Sequence, residues 1–436
     1  MRIHFFERYD FICAYFPDSL RYFRVNKKTK SILIDIQNDI PYDAICNRYE
    51  ISFRELNKIL DRLPKEKISP LSSFSADKCR RLVLHIANDC NLSCKYCYAN
   101  GGIYLSKNTL MSPNILSHTL DRFFTHFEDI KSIQLFGGEP CFNLEAVETV
   151  GRFVEELDVS KRPDIYMITN GMLLTSEVIE LLRRYQIHVT ISMDGPENIN
   201  DQLRIFKNGV GSTRVAENNL RRIHDRKDIP IMIEATYTKL HQESNISISD
   251  IVRYYFDNFG VKNIHVAPAT GCDYSPDYVK AIKNDIKQIF ANATTGYPMP
   301  STIIQKIQMI KHKKNTTQLC DAGIGTYAVS TNGMVYPCFM VTDQTKLCMG
   351  NIADKDLFHS RPFLDIQNQL ATFNKITKPK CKNCFANTMC TGCVGKNYFE
   401  TGHMIVPSEE HCDSERTLLE EIILELLLSP RRVTST

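Results

Sequence analysis

The chain has 436 residues, with 53 basic and 50 acidic side chains, a net charge of +3 and 43% hydrophobic content, which describes an ordinary globular chain with room for several domains. That charge excludes the strong basic field of a nucleic-acid binder or a membrane-surface protein, so neither partner is expected; no apolar run approaches the roughly 20 residues of a membrane span, and residues 1–8 carry charges where a secretory signal is apolar, so a cytoplasmic location is expected. Sixteen cysteines are many for a compartment where disulfides are rare, and metal ligation is the better use for them.

Residues 1–76 read as a small winged-helix-like unit. Residues 20–25 and 31–36 each alternate in polarity, and 26–30 between them have turn composition, which predicts a hairpin. A short helix starts at Tyr42. Ser52, with Glu55 three residues on, forms a capping box for a second helix over 53–63. Such a unit either binds DNA or accepts a peptide as an added strand at its hairpin edge. Glu55 and Asp61 interrupt Arg54, Lys58 and Arg62, which makes a poor phosphate-binding face. Residues 64–70 read as a linker.

From residue 77 strand and helix patterns alternate. Strands are predicted at 82–87, 132–136, 164–168, 187–192, 231–236 and 262–267, and helices at 112–127, 144–156, 176–185, 212–225 and 246–258. Six such units over 77–274 predict parallel strands with right-handed crossovers, an α/β partial (β/α)6 TIM-type barrel. Barrels of this type place their chemistry at the C-terminal strand ends. After the first strand come Cys90, Cys94 and Cys97. Three thiolates can hold three irons of a [4Fe–4S] cluster and leave the fourth open, whereas zinc wants four protein ligands, or three and a water. After the second strand come Gly137, Gly138 and Glu139. Paired glycines let a ligand approach the backbone, and the carboxylate can take an ammonium. Asn170 and Gly171 follow the third strand. Ser192 and Asp194 follow the fourth, with Arg204 beyond them. Together these ends describe a pocket for a small zwitterionic nucleoside beside an iron–sulfur cluster.

Residues 275–319 read as a helical bridge. Residues 320–413 are cysteine-dense: Cys320, a hairpin ending at Cys338, then Cys381, Cys384, Cys390 and Cys393, and finally Cys412. Seven thiols fit one four-thiolate and one three-thiolate cluster, or two zinc sites. The segment 414–436 reads as an amphipathic helix over 414–428 and a tail.

The motifs Cys-x3-Cys-x-Tyr-Cys, Gly-Gly-Glu-Pro and Ser-x-Asp-Gly resemble those of the radical S-adenosylmethionine (SAM) enzymes. The C-terminal pattern, Gly-x4-Cys followed by Cys-x2-Cys-x5-Cys-x2-Cys and Cys, is similar to their SPASM extension. The first 76 residues resemble the recognition elements that bind the leader of a ribosomally made precursor peptide. The resemblance implies that Cys90, Cys94 and Cys97 hold the SAM-cleaving cluster. Gly137, Gly138 and Glu139 would take the amino group of SAM. Tyr96, Ser192, Arg204 and a backbone group near His265 or Val266 would hold the rest, with Asn170 and Asp194 on the same rim. Cys381, Cys384, Cys390 and Cys412 look like the ligands of a distal auxiliary cluster, and Cys320, Cys338 and Cys393 like those of a nearer one, three [4Fe–4S] clusters in all.

Two departures from the family pattern matter. Some relatives have a fourth near-cluster cysteine where this chain has Lys314, with Cys348 a possible substitute. Anaerobic sulfatase maturases place an Asp base where this chain has Phe339. The expectation is a peptide maturase that forms thioether crosslinks, fed by a one-electron donor such as flavodoxin or ferredoxin. The alternatives are carbon–carbon crosslinking such as Lys–Trp, sulfatase maturation, and an iron–sulfur sensor that binds DNA through residues 1–76.

Overall fold

The computed structural model describes residues 1–8, 11–65 and 78–428; most of the expected linker and the expected tail lie outside the described residues. Strands β1 (His4–Arg8), β2 (Phe11–Phe16) and β3 (Arg21–Val25) form an antiparallel sheet in that order. All six residues of the central strand, Phe-Ile-Cys-Ala-Tyr-Phe, are buried.

The strand expected over 31–36 is instead part of a helix, α1 (Lys27–Gln37). Asn26, expected in a turn, caps it by accepting from the Thr29 N–H at 2.7 Å. Ile32, Ile34 and Ile36 alternate as a strand would, but burial follows the helical stripe. Ile32 and Leu33 are buried, while Ile34 is 37% exposed. β3 pairs instead with β2, antiparallel. Helices α2 (Tyr42–Tyr49) and α3 (Phe53–Leu60) follow, the latter with the Ser52–Glu55 capping box in place. Ile32, Ile45 and Leu56 form the small core of the three helices.

The main sheet begins with β4 (Arg81–Asn88), against whose end the short β5 (Thr109–Leu110) pairs. Next come α4 (Pro113–His126), β6 (Ser132–Gly137), α5 (Leu144–Glu156), β7 (Asp164–Thr169), α6 (Ser176–Arg184) and β8 (His188–Ser192). They are followed by α7 (Glu197–Leu203), α8 (Thr213–His224), β9 (Ile231–Tyr237), α9 (Lys239–Glu243), α10 (Ile248–Phe259) and β10 (Ile264–Pro268). The six long strands lie parallel in chain order, as an open partial barrel requires. The helices start where the sequence supplies caps: Ser112, Asn143, Thr175 and Ser247 each accept a backbone N–H.

Two helices, α11 (Tyr278–Thr294) and α12 (Ser301–Lys311), bridge to the C-terminal region. There β11 (Thr326–Val329), β12 (Met334–Tyr336) and β13 (Gly350–Asn351) form an antiparallel meander. β11 also pairs in parallel with β4, in register from Thr326 with Arg81 to Val329 with Leu84. The barrel sheet therefore runs on without a break into the cysteine-rich region. Helices α13 (Arg361–Ala371), α14 (Pro379–Lys382), α15 (Val394–Thr401) and α16 (Glu409–Leu428) complete the chain. Leu419, Ile422 and Ile423 of α16 are buried, and Arg8 of β1 pairs with its Glu421 and Glu425. Among the described residues no helix is long and apolar enough to cross a membrane.

Candidate active site

A cavity of ≈ 310 Å³ opens at the C-terminal ends of β4 to β10, and Cys90, Cys94 and Cys97 all line it. Their loop is laid along the segment after α7: Ser93 N–H donates to the Ile205 carbonyl at 2.7 Å and Lys95 N–H to the Leu203 carbonyl at 2.9 Å. This brings Arg204 beneath the loop, with Nη1 3.9 Å from Cys94 Sγ. Asn170 approaches from the end of β7, its Nδ2 3.5 Å from Cys90 Sγ and 2.8 Å from Asn91 Oδ1.

Asp194 is the hub of this wall and is completely buried. Its Oδ2 accepts from the Tyr96 hydroxyl at 2.5 Å and pairs with Arg204 Nε at 3.0 Å. Its Oδ1 accepts from Thr236 N–H at 2.9 Å, and its carbonyl meets His241 Nε2 at 2.7 Å. Two β-strands, the cysteine loop and Arg204 are thus tied to one carboxylate. Ser192 and Arg204 line the cavity directly.

The Gly137–Gly138 turn faces the cavity through its backbone. A Cβ at Gly137, where φ is +144°, would stand 2.1 Å from the Ala87 carbonyl oxygen, and one at Gly138 would stand 2.2 Å from that of Asp89. Only glycine lets β6 end this close to the loop after β4. Gly137→Ala is therefore expected to cost at least roughly 1–3 kcal/mol in backbone strain and to lose SAM binding. Calorimetric titration with SAM checks this, and unchanged affinity would show that the turn can relax.

Glu139, expected to take the ammonium of SAM, is held by three internal donors. Its Oε1 accepts from the Thr169 hydroxyl at 2.7 Å and Cys141 N–H at 3.0 Å, and its Oε2 from Asn170 N–H at 2.8 Å. Burial pushes its pKa up, while these donors hold it down. The carboxylate pins the ends of β6 and β7 together and leaves the glycine backbone to face a ligand. The His265 side chain turns to Ser301 Oγ, 2.8 Å away; β10 meets the cavity through Ala267 and Pro268.

Several lining residues were not singled out from sequence: Tyr98, Gly102, Tyr104, Phe136, Glu234 and Met340. Glu234 alone left a signal, as a carboxylate in the apolar run of β9, and it lies in register with Ser192.

Several of the C-terminal thiols lie close enough to influence one another's ionisation. Cys338 feels the thiols of Cys393 and Cys320, which add to burial in raising its pKa. Cys412 and Cys384 act on Cys381 and Cys390 or receive their influence. The Cys348 thiol is on the Gly350 carbonyl at 3.5 Å. The N-terminal sheet holds the distal loop. Arg2 Nη1 donates to the carbonyls of Lys382 at 3.2 Å and Cys384 at 3.5 Å, and His4 stacks on Phe385 with centroids 3.9 Å apart.

Among the described residues, no three His, Cys, Asp or Glu side chains converge as ligands of one ion do. Thiols sharing a cavity with a glycine cradle on a parallel partial barrel mark the class: an iron–sulfur enzyme that binds a small cosubstrate at its strand ends. Residues 84–255 match the Radical SAM superfamily, and residues 320–385 match SPASM, an iron–sulfur cluster-binding domain. The chain belongs to the radical SAM superfamily and carries the SPASM extension.

It is 24% identical to the radical SAM cyclopropyl synthase TigE of Paramaledivibacter caminithermalis over 438 residues, which covers 91% of this chain and 87% of that one. The structure of native anSMEcpe with bound AdoMet superposes with a TM-score of 0.67 at 20% identity, covering 81% of this chain and 100% of that one. Streptococcus suis SuiB bound to S-adenosylmethionine superposes with a TM-score of 0.56 at 15% identity, covering 94% and 98%. SuiB has also been solved bound to its precursor peptide SuiA. At these identities the two structures attest the fold.

Proposed function

We propose that the enzyme matures a ribosomally made peptide by installing intramolecular crosslinks, thioethers between a Cys sulfur and a carbon of another residue. The observation that carries this reading is the near set of three thiols, Cys320, Cys338 and Cys393, with Cys348 bonded elsewhere. Three thiolates serve three irons of a four-iron cluster and leave a position for an external thiol. In this reading residues 1–76 recognise the peptide, 77–274 bind and cleave SAM, and 320–413 hold two auxiliary clusters.

When bound, SAM and the cluster at Cys90, Cys94 and Cys97 supply a 5′-deoxyadenosyl radical able to take hydrogen from an unactivated carbon. The protein's part is to hold. Gly137 and Gly138 offer backbone to the amino end of SAM. Arg204, oriented by Asp194, would meet its carboxylate, and Ser192 and Glu234, which line the same cavity, would be available to its hydroxyls. Tyr98, Tyr104, Phe136 and Phe339 line the same cavity with aromatic rings. Support for a peptide substrate comes from β3, an edge strand with an unpaired side, and from Arg2 and His4, which fasten that sheet to the enzyme body. SuiB, bound to its own precursor, supports it too. Phe339 replaces the acidic base of sulfatase maturases. A reducing cytoplasmic setting with a flavodoxin or ferredoxin as electron donor completes the reading.

The test is anaerobic incubation of the reconstituted enzyme with reductant, SAM and a Cys-containing precursor encoded beside it. Thioether formation removes two daltons and one alkylatable thiol per crosslink. Mass loss with every thiol still alkylatable would assign carbon–carbon crosslinking instead. No mass loss would sink the crosslinking reading.

A further inference from the structure

We propose that the residue attacked in the peptide is aliphatic, selected by an apolar wall that Phe136 and Phe339 build over the cavity. This deepens the peptide-maturation reading and rests on it. The cavity has two unlike sides. Arg204 and Glu234 lie on the nucleoside side, beside Ser192 and Thr236. The opposite side is lined by Tyr98, Tyr104, Phe136, Phe339 and Met340. Phe136 immediately precedes Gly137 on β6, and Phe339 immediately follows Cys338. Their ring centroids are 4.8 Å apart at 65°, so one edge-to-face pair spans from the SAM cradle to the near thiol set. Met340 continues the wall, its Sδ 3.6 Å from Cys393 Sγ.

The hydroxyls on this wall have partners, and Nδ1 of His85, buried behind it without one, does not line the cavity. Tyr98 packs edge-on against Tyr104, with centroids 6.2 Å apart at 71°, and the Tyr104 hydroxyl reaches the Gly137 carbonyl at 3.5 Å. His85 stands behind Phe136, with centroids 5.4 Å apart. It is completely buried and meets Thr342 Oγ1 at 3.0 Å. Among the described residues no carboxylate, ammonium or imidazole lines this side. A valine, isoleucine or leucine side chain placed between the wall and SAM loses no hydrogen bond on entering. A serine hydroxyl or a carboxylate gives up its water and finds no free partner, which amounts to roughly a tenfold disadvantage or more.

The experiment uses the full-length reconstituted enzyme, SAM and reductant with short Cys-containing peptides. Each carries one side-chain-deuterated residue: valine, leucine, serine or glutamate. Mass spectrometry reads deuterium in the 5′-deoxyadenosine formed. Valine or leucine is expected to deliver at least about tenfold more than serine or glutamate. Phe339→Asn is expected to narrow that gap, and Phe339→Leu to keep it, with SAM cleavage in the absence of peptide measured on each variant. Serine or glutamate matching valine, or a gap unmoved by Phe339→Asn, overturns the inference and leaves the peptide reading standing. Deuterium from none of the peptides overturns the inference; if the same peptides also show no two-dalton loss while SAM cleavage is intact, the peptide reading falls with it.

Discussion

Cys94→Ala is expected to abolish SAM cleavage outright, whereas Cys384→Ala leaves slow cleavage uncoupled from peptide modification. Cys94 lines the SAM cavity beside Arg204, and its loss leaves two thiolates where a radical SAM cluster needs three. Cys384 lies in the distal set, in a loop held from outside by Arg2 and His4, so its loss should leave the barrel end intact. Reconstituted wild-type enzyme is expected to hold about twelve irons, and each variant about eight, if three four-iron clusters form. Iron analysis and quantification of 5′-deoxyadenosine check both statements. Equal loss of cleavage in the two variants would mean that the distal set is structurally required for the first site. A zinc-loaded C-terminal region would overturn the auxiliary-cluster assignment.

Asp194→Ala is expected to be the most damaging single change outside the cysteines. Arg204 has 10% of its side chain exposed and Asp194 none, so removing the carboxylate leaves a buried cation without its partner. Breaking one side of such a pair costs about 3–5 kcal/mol. The Tyr96 hydroxyl and Thr236 N–H lose their acceptor at the same time. Asp194→Asn keeps the shape and one acceptor and should lose less. The thermal midpoint of the reconstituted protein and its affinity for SAM read the two effects separately. A drop in midpoint of less than a degree for Asp194→Ala would show that Arg204 finds another partner.

Much of the barrel was legible because parallel strands buried on both faces read as apolar runs bounded by turns. All six lie within two residues of their expected limits. The N-terminal unit was less legible. β2 has no alternation because both its faces are covered. The isoleucines at 32, 34 and 36 mimic a strand's period, while the asparagine at 26 suits a turn and a helix cap equally well. At the site, motif residues announced themselves by type and spacing. Tyr98, Phe136 and Met340 did not, because an aromatic or Met next to a motif is ordinary until the fold shows what it faces. Glu139 adds a role its motif did not announce: its carboxylate stitches the ends of β6 and β7 together.

β4 carries the loop that holds Cys90, Cys94 and Cys97, and it lies between β6 on one side and β11 on the other. It is thus an interior strand completed by the C-terminal region. Ending the chain before residue 320 would turn it into an open edge, with unpaired N–H and C=O groups that recruit other chains. Such a truncated protein should precipitate rather than survive as a minimal SAM-cleaving unit. The same ladder sets the span between the first and the near thiol groups.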